Sequence, residues 1–313
     1  MKTKNFLKKF AAIFFSASIF FTPLQALAQT LPANFGNEDA LADAAGESAE
    51  KFYASLPLKK SYKSRQRPIL IQGAMNVETE ILARALKNPV AYRDLNYLYI
   101  AGTYKNYPVV ICRTEQGMAN AAASTALAIK FFNPIAVINQ GTAGGHAPNL
   151  RVGDLVIGAR SINVGAIKTA YQPKGAGTDI TQQEMRGTYA FDETTGNFQP
   201  HKEYFADSTL LKIAENIGGF NAVTGTISSA DSWLNGVDQS LFLHEKYGST
   251  CEEMETAAVA QICKNAGLPW LGVRVISDSV TNTDGEYNPA VSAVAQNFVL
   301  RVVENYIRDV LKI

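Results

Sequence analysis

The stretch Pro134–Gly145, PIAVINQGTAGG, decides how the rest of the chain is read. Five apolar residues in six, three of them β-branched, are too short for a helix and suit a strand buried on both faces. The glycines that follow leave a loop where the backbone can approach a ligand closely. Outward from it the same texture recurs. PILIQGAM (68–75) is a second short buried strand with a glycine turn, and NVETEILARALKN (76–88) follows with helical spacing. YLYIAGTYKNYPVVICR (97–113) predicts a hairpin about Lys105-Asn106, and GMANAAASTALAIKFF (117–132) a helix of small residues able to pack closely on a sheet. DLVIGA, AVTGTISSAD and PWLGVRVISD add strands. The last helix, from Pro289, sets Val291, Val294, Ala295, Phe298, Val302 and Tyr306 on one stripe. Strands alternating with helices predict an α/β protein, a three-layer α/β/α sandwich with a mixed central sheet.

Composition narrows the function. The 313 residues are 47% hydrophobic and 18% charged, which suits an enzyme-sized globular domain. Four lysines and no acid fall in residues 1–28, and without them 25 basic residues face 28 acidic ones. No basic patch points to nucleic acid, so the expected partner is a small molecule. The charged start, the apolar run Phe10–Phe21 and small residues at Ala26 and Ala28 describe a signal peptide over 1–28, and hence an exported, periplasmic or secreted protein. Residues 29–67 form an N-terminal extension outside the core, partly helical near Glu38–Tyr53, and 68–313 the catalytic domain. The segment Ser161–Phe205 is polar and irregular, which marks it as functional or interfacial. Cys112, Cys251 and Cys263 read as small buried thiols. The scattered His146, His201 and His244 fit no ligand spacing, and no cofactor or metal is expected.

In α/β sheets ligands bind beyond the carboxyl ends of the strands. Glu78, Thr142, Gly144, Trp233, Glu253, Glu255, Ser277 and Asp278 all fall at such ends, predicting a pocket with carboxylates, a glycine floor and one aromatic wall. Acids in a first helical turn are ordinary, because the helix dipole favours negative charge there, and Glu252 is read that way.

Taken together, IQGAMNVETE, INQGTAGGHAPNLRVGDLVIG, ISSADSWLNG, EEMETAAVAQIC and VRVISD resemble the nucleoside phosphorylase superfamily, and within it the 5'-methylthioadenosine/S-adenosylhomocysteine nucleosidases, over roughly residues 68–311. The resemblance implies a nucleoside phosphorylase-like fold, a purine nucleoside as ligand, and a homodimer. It implies that Met254 contacts the sugar and that Glu255 accepts hydrogen bonds from the 2'- and 3'-hydroxyls, as an acceptor-only group can. Asp278 then carries a proton to purine N7, oriented by Ser277, and Glu78 positions and activates the attacking water. Trp233 takes the place of an aromatic that stacks on the purine, backbone groups of Leu234 read the base edge, and Met75 lines the water and sugar site. Phosphorylases of the superfamily hold phosphate with arginines where this chain has Asn139 and AMNVETE, so hydrolysis is the expectation. The alternatives are a phosphate-dependent phosphorylase, with Arg113 supplying the anion contact, and a catalytically silent nucleoside-binding protein. The chain departs from the pattern at TEQGMAN (114–120), where Glu115 and Gln116 replace glycine-rich sequence, and at ARSINVGAIKTAYQPKGAGTD (159–179), which bears on the 5'-substituent.

Overall fold

A computed structural model describes residues 38–282 and 286–313. The signal peptide expected over 1–28 lies outside the described residues. Among the described residues fourteen strands run in chain order: β1 Ile69–Gly73, β2 Lys87–Asp94, β3 Tyr97–Tyr104, β4 Tyr107–Arg113, β5 Ala136–Gly145, β6 Leu155–Asn163, β7 Ile167–Lys168, β8 Glu184–Met185, β9 Thr188–Asp192, β10 Asn197–His201, β11 Tyr204–Phe205, β12 Ala222–Ser229, β13 Ser249–Glu253 and β14 Trp270–Ser279. The α-helices are α1 Glu38–Ser55, α2 Asn76–Arg84, α3 Met118–Phe132, α4 Ser208–Glu215, α5 Val237–Tyr247, α6 Thr256–Asn265 and α7 Ser292–Tyr306.

Ten strands make one mixed sheet in the order β11-β6-β12-β13-β5-β1-β4-β3-β2, with β14 paired to both β5 and β6. That double pairing closes β5, β14, β6, β12 and β13 into a ring, while β1 to β4 remain an open wing. The hairpin at Lys105-Asn106 forms as expected, both residues holding the positive φ (50° and 62°) that two-residue turns require.

The period of two along each strand divides the core. Ile69 and Ile71 of β1, Val109 and Ile111 of β4, and Ala136 and Ile138 of β5 face one helical layer with Leu82, Phe298 and Val302. Leu70, Val110, Cys112 and Val137 face the other, with Ala121, Ala128, Val259 and Cys263. These two layers on either side of the sheet make the α/β/α sandwich. A third cluster takes Ala143, Val156, Ile227, Cys251 and Ile276, one from each strand of the ring. All three cysteines are buried and unbridged.

Two regions differ from the sequence reading. The extension is not outside the core: Ala49 and Tyr53 of α1 are buried in the first cluster, and the Tyr53 hydroxyl lies 2.9 Å from Thr79 Oγ1 of α2. Its apolar residues are few but fall a helical turn apart, which suffices for one contact face. The segment 161–205 is not irregular throughout. β9 and β10 form a hairpin, and Ala190 and Tyr204 are buried against α6 and the sheet.

The ring is tight enough to require glycine. Gly158 of β6 faces Gly272 of β14, and a β carbon at Gly158 would stand 2.5 Å from Ile227 Cδ1. We predict that Gly158→Ala lowers stability by about 1–3 kcal/mol, the usual range for overpacking. Adding Ile227→Val, which removes that methyl, should recover most of the loss in a denaturant titration. A neutral Gly158→Ala would mean that the ring yields.

Candidate active site

The carboxyl ends of β1, β5, β13 and β14 open on one cavity of about 170 Å³. It is lined by Met75, Glu78, Thr142, Gly144, Trp233, Glu253, Met254, Glu255, Ser277 and Asp278, which are all the expected site residues except Leu234. Leu234 stands beside it, its backbone N–H donating to Glu252 Oε1 at 2.9 Å.

Glu78 lies in the first turn of α2, where the chain turns up from β1. Its Oε2 accepts from the N–H groups of Ala74 (2.8 Å) and Met75 (3.1 Å), and its Oε1 from the N–H and hydroxyl of Thr142 (2.8 and 3.0 Å). The carboxylate is thus held by four donors, two from the turn after β1 and two from Thr142 of β5. It also explains Gly141, because a β carbon there would be 2.7 Å from Glu78 Oε1.

Asp278 owes its aim to an irregularity in β14. Pairing with β5 shifts register between Ile276 and Asp278, leaving Ser277 as the extra residue of a bulge. The Ser277 hydroxyl donates to Asp278 Oδ1 at 2.6 Å. Burial pushes the Asp278 carboxyl above its ordinary range, against the opposing pull of hydrogen bonds from Ser277 and the Trp233 side chain. Trp233 is 62% exposed at the cavity's mouth, with its rings 5.5 Å from Tyr287. In this structure the indole engages Asp278 and meets the Tyr287 ring edge-on, at an interplanar angle of 71°.

The acids at the end of β13 divide by strand alternation. Glu253 points inward, where it accepts from Ser229, from the N–H of Glu255 (3.1 Å) and of Thr256 (2.9 Å), and from Arg274. Glu255, the residue before α6, receives the Gly117 N–H at 2.9 Å, and Met254 offers its own N–H at 3.3 Å. Burial, followed by the charge of Glu253, pushes the Glu255 carboxyl up to about 8. Glu252 corrects the sequence reading. It belongs to β13 and not to a first helical turn, because α6 begins only at Thr256. Its side chain lines the cavity.

The largest omission is Arg274. It is 1% exposed within the ring, and its Nη2 reaches Asn139 Oδ1 (2.5 Å) and Glu253, with Glu255 Oε2 at 3.9 Å. An arginine inside the otherwise apolar run WLGVRVIS was the available signal, since a buried charge in a strand needs a partner. Gln116, Ser232 and Tyr287 also line the cavity; Ser232 lies within ISSADSWLNG and Gln116 within TEQGMAN, while Tyr287 belonged to no quoted motif. Glu115 is turned away, paired with Arg113 at 2.7 Å.

With the fold and site described, comparison places the chain. The sequence profile of the phosphorylase superfamily matches residues 68–308. The chain therefore belongs to the phosphorylase superfamily, and within it to the 5'-methylthioadenosine/S-adenosylhomocysteine nucleosidase family. A protein of that name from Bacillus pumilus is 33% identical over 218 residues, covering 67% of this chain and 85% of its own. The nucleosidase of Neisseria meningitidis, solved with methylthio-immucillin-A, shares the fold with a TM-score of 0.62 at 24% identity, over 77% of this chain and all of that one. Futalosine hydrolase of Helicobacter pylori has a TM-score of 0.61 at 19% identity, over 76% of this chain and 98% of its own.

The raised Glu255 carboxyl has a sign that can be tested. From about pH 4.5, its ordinary value, up to about 8, the unfolded chain ionises while the folded one keeps its proton. Folded-state stability is therefore lost as pH rises through that window, and the loss levels off above it. Glu255→Gln, which cannot ionise, is predicted to gain a few degrees in Tm over wild type between about pH 5 and 8. A difference between the two proteins that stays flat over that range would mean that Arg274 keeps Glu255 ionised.

Proposed function

We propose that this protein hydrolyses the N-glycosidic bond of adenine nucleosides, 5'-methylthioadenosine, S-adenosylhomocysteine or a relative, and releases free adenine. One observation carries hydrolysis over phosphorolysis: Glu78, Glu252, Glu253, Glu255 and Asp278 line the cavity, and among the described residues no lysine or arginine does. Arg274 lies behind them, already engaged with Glu253 and Asn139. A dianion entering there would meet carboxylates at short range, while water would meet acceptors able to take its proton.

The steps follow from the groups present. Asp278, held toward its protonated form by burial, gives its proton to N7, and the C1'–N9 electron pair passes to the departing purine. Positive charge develops on the sugar, where the surrounding carboxylates favour it. Glu255, once ionised, accepts from the two ribose hydroxyls. Water adds to C1' and yields its proton to Glu78. Of the four donors on Glu78, three are fixed backbone N–H groups, and only the Thr142 hydroxyl can rotate away. Its departure frees the lone pair that takes the water's proton.

The phosphorylase reading loses its anion contact. Arg113 pairs with Glu50 (2.5 Å) and Glu115 (2.7 Å), donates to Asn76 (2.6 Å), and does not line the cavity. A silent binding protein would have no use for an acid oriented by a bulge and a serine. The leader-like residues 1–28 support action outside the cytoplasm, and family likeness supports a homodimer, both as part of this proposal.

The test is base release from 5'-methylthioadenosine with and without phosphate. Free methylthioribose at a phosphate-independent rate is expected, and a sugar 1-phosphate would overturn hydrolysis. Asp278→Asn is expected to lower kcat by roughly 10²–10⁴-fold, the usual worth of a general acid, with binding largely kept. Near-wild-type turnover would remove Asp278 from that role. For Glu255→Gln, a 2'-deoxy substrate should lose less kcat/KM than the ribonucleoside, and equal losses would refute the ribose contact.

A further inference from the structure

The mechanism leaves Glu252 without a task, yet its carboxylate is a built feature of the cavity. Register places Glu252, Gly144 and Asp278 in one row across β13, β5 and β14. Gly144 has no side chain, and a β carbon there would lie 3.4 Å from Asp278 Oδ2 and 3.7 Å from Glu252 Oε1. The two carboxylates therefore approach the same empty space from opposite sides. Glu252 is also anchored. Its Oε2 stands 3.4 Å from Nε2 of the buried His146, whose Nδ1 is 2.7 Å from Ser249 Oγ. His146 Nε2 has no hydrogen-bond partner of its own. The other oxygen, Oε1, takes the Leu234 N–H at the cavity's edge.

We propose that Glu252 is a second base-reading carboxylate, which selects purines carrying an amino group at C6 over those carrying a 6-oxo group. The inference rests on Asp278 addressing N7. The substituent next to N7 on that edge of a purine is the one at C6, and the acid next to Asp278 in the row is Glu252. A carboxylate only accepts hydrogen bonds. An exocyclic amine can replace the Leu234 N–H on Oε1, whereas a carbonyl oxygen sets acceptor against acceptor in a buried site.

The experiment uses the full chain and two readouts. Equilibrium binding of free adenine and free hypoxanthine is measured by calorimetry, for wild type and for Glu252→Gln. Wild type should bind adenine at least ~10-fold more tightly, the scale of one hydrogen bond to a charged group. Glu252→Gln should erase most of that gap, because an amide can turn an N–H toward the 6-oxo oxygen. Equal binding by wild type, or an unchanged gap in the variant, overturns the assignment. Tighter binding of hypoxanthine does so too, since Glu252 would then be reading N1–H. The kcat/KM ratio of 5'-methylthioadenosine to 5'-methylthioinosine should follow the same pattern. Absence of base release from both, with the binding gap intact, would refute the nucleosidase reading and leave Glu252's selectivity standing.

Discussion

Arg274 is the charge around which the site is arranged. A guanidinium buried inside a ring of strands is strongly unfavourable unless its charge and N–H groups are matched. Here the match comes from Glu253 and Asn139, with Glu255 a little farther away. Glu253 in turn accepts the first backbone N–H groups of α6, so the arginine also fixes where that helix begins. The dependence is mutual. Without Arg274 the ring would hold unbalanced carboxylates, and without them the arginine could not be buried. One cation serves several acids, so the cavity stays acidic on balance, and Glu255, through its burial first and the charge of Glu253 second, holds its proton to a higher pH.

Much of this was legible in the chain. Buried strands and helical stripes are local patterns, so PILIQGAM, PIAVINQGTAGG and the final helix appear where periodicity puts them. The site residues Glu78, Glu255 and Asp278 were reachable because they sit at strand ends in motifs with a family likeness, and they line one cavity. What could not be read was long-range. Nothing local announces that β14 pairs on both edges, so ring closure is invisible in sequence. Arg274 went unassigned for the same reason, since its partners lie 21 and 135 residues away. Glu252 was misread through a boundary placed too early. Alternation along a strand and the first turn of a helix aim the same side chain in opposite directions.

The loop bearing Trp233 and Leu234 sets two N–H groups against the cavity's acids. The indole engages Asp278, and the Leu234 N–H engages Glu252. Both groups are those expected to meet a purine. Each adds a hydrogen bond to a carboxylate that lines the cavity. Ligand entry then exchanges hydrogen bonds instead of creating them from nothing, so affinity depends on how much better the base fits than the loop does.

The contact between α1 and α2 reaches beyond packing. Tyr53 meets Thr79, one residue after Glu78, and Glu50 joins Arg113 and Asn76 on the same turn. The helix carrying the proposed water-activating carboxylate is therefore braced by residues that precede the first recognisable motif. A recombinant fragment trimmed to that motif would open a seam along the core and loosen the footing of Glu78. Expression boundaries for this protein belong upstream of Glu38.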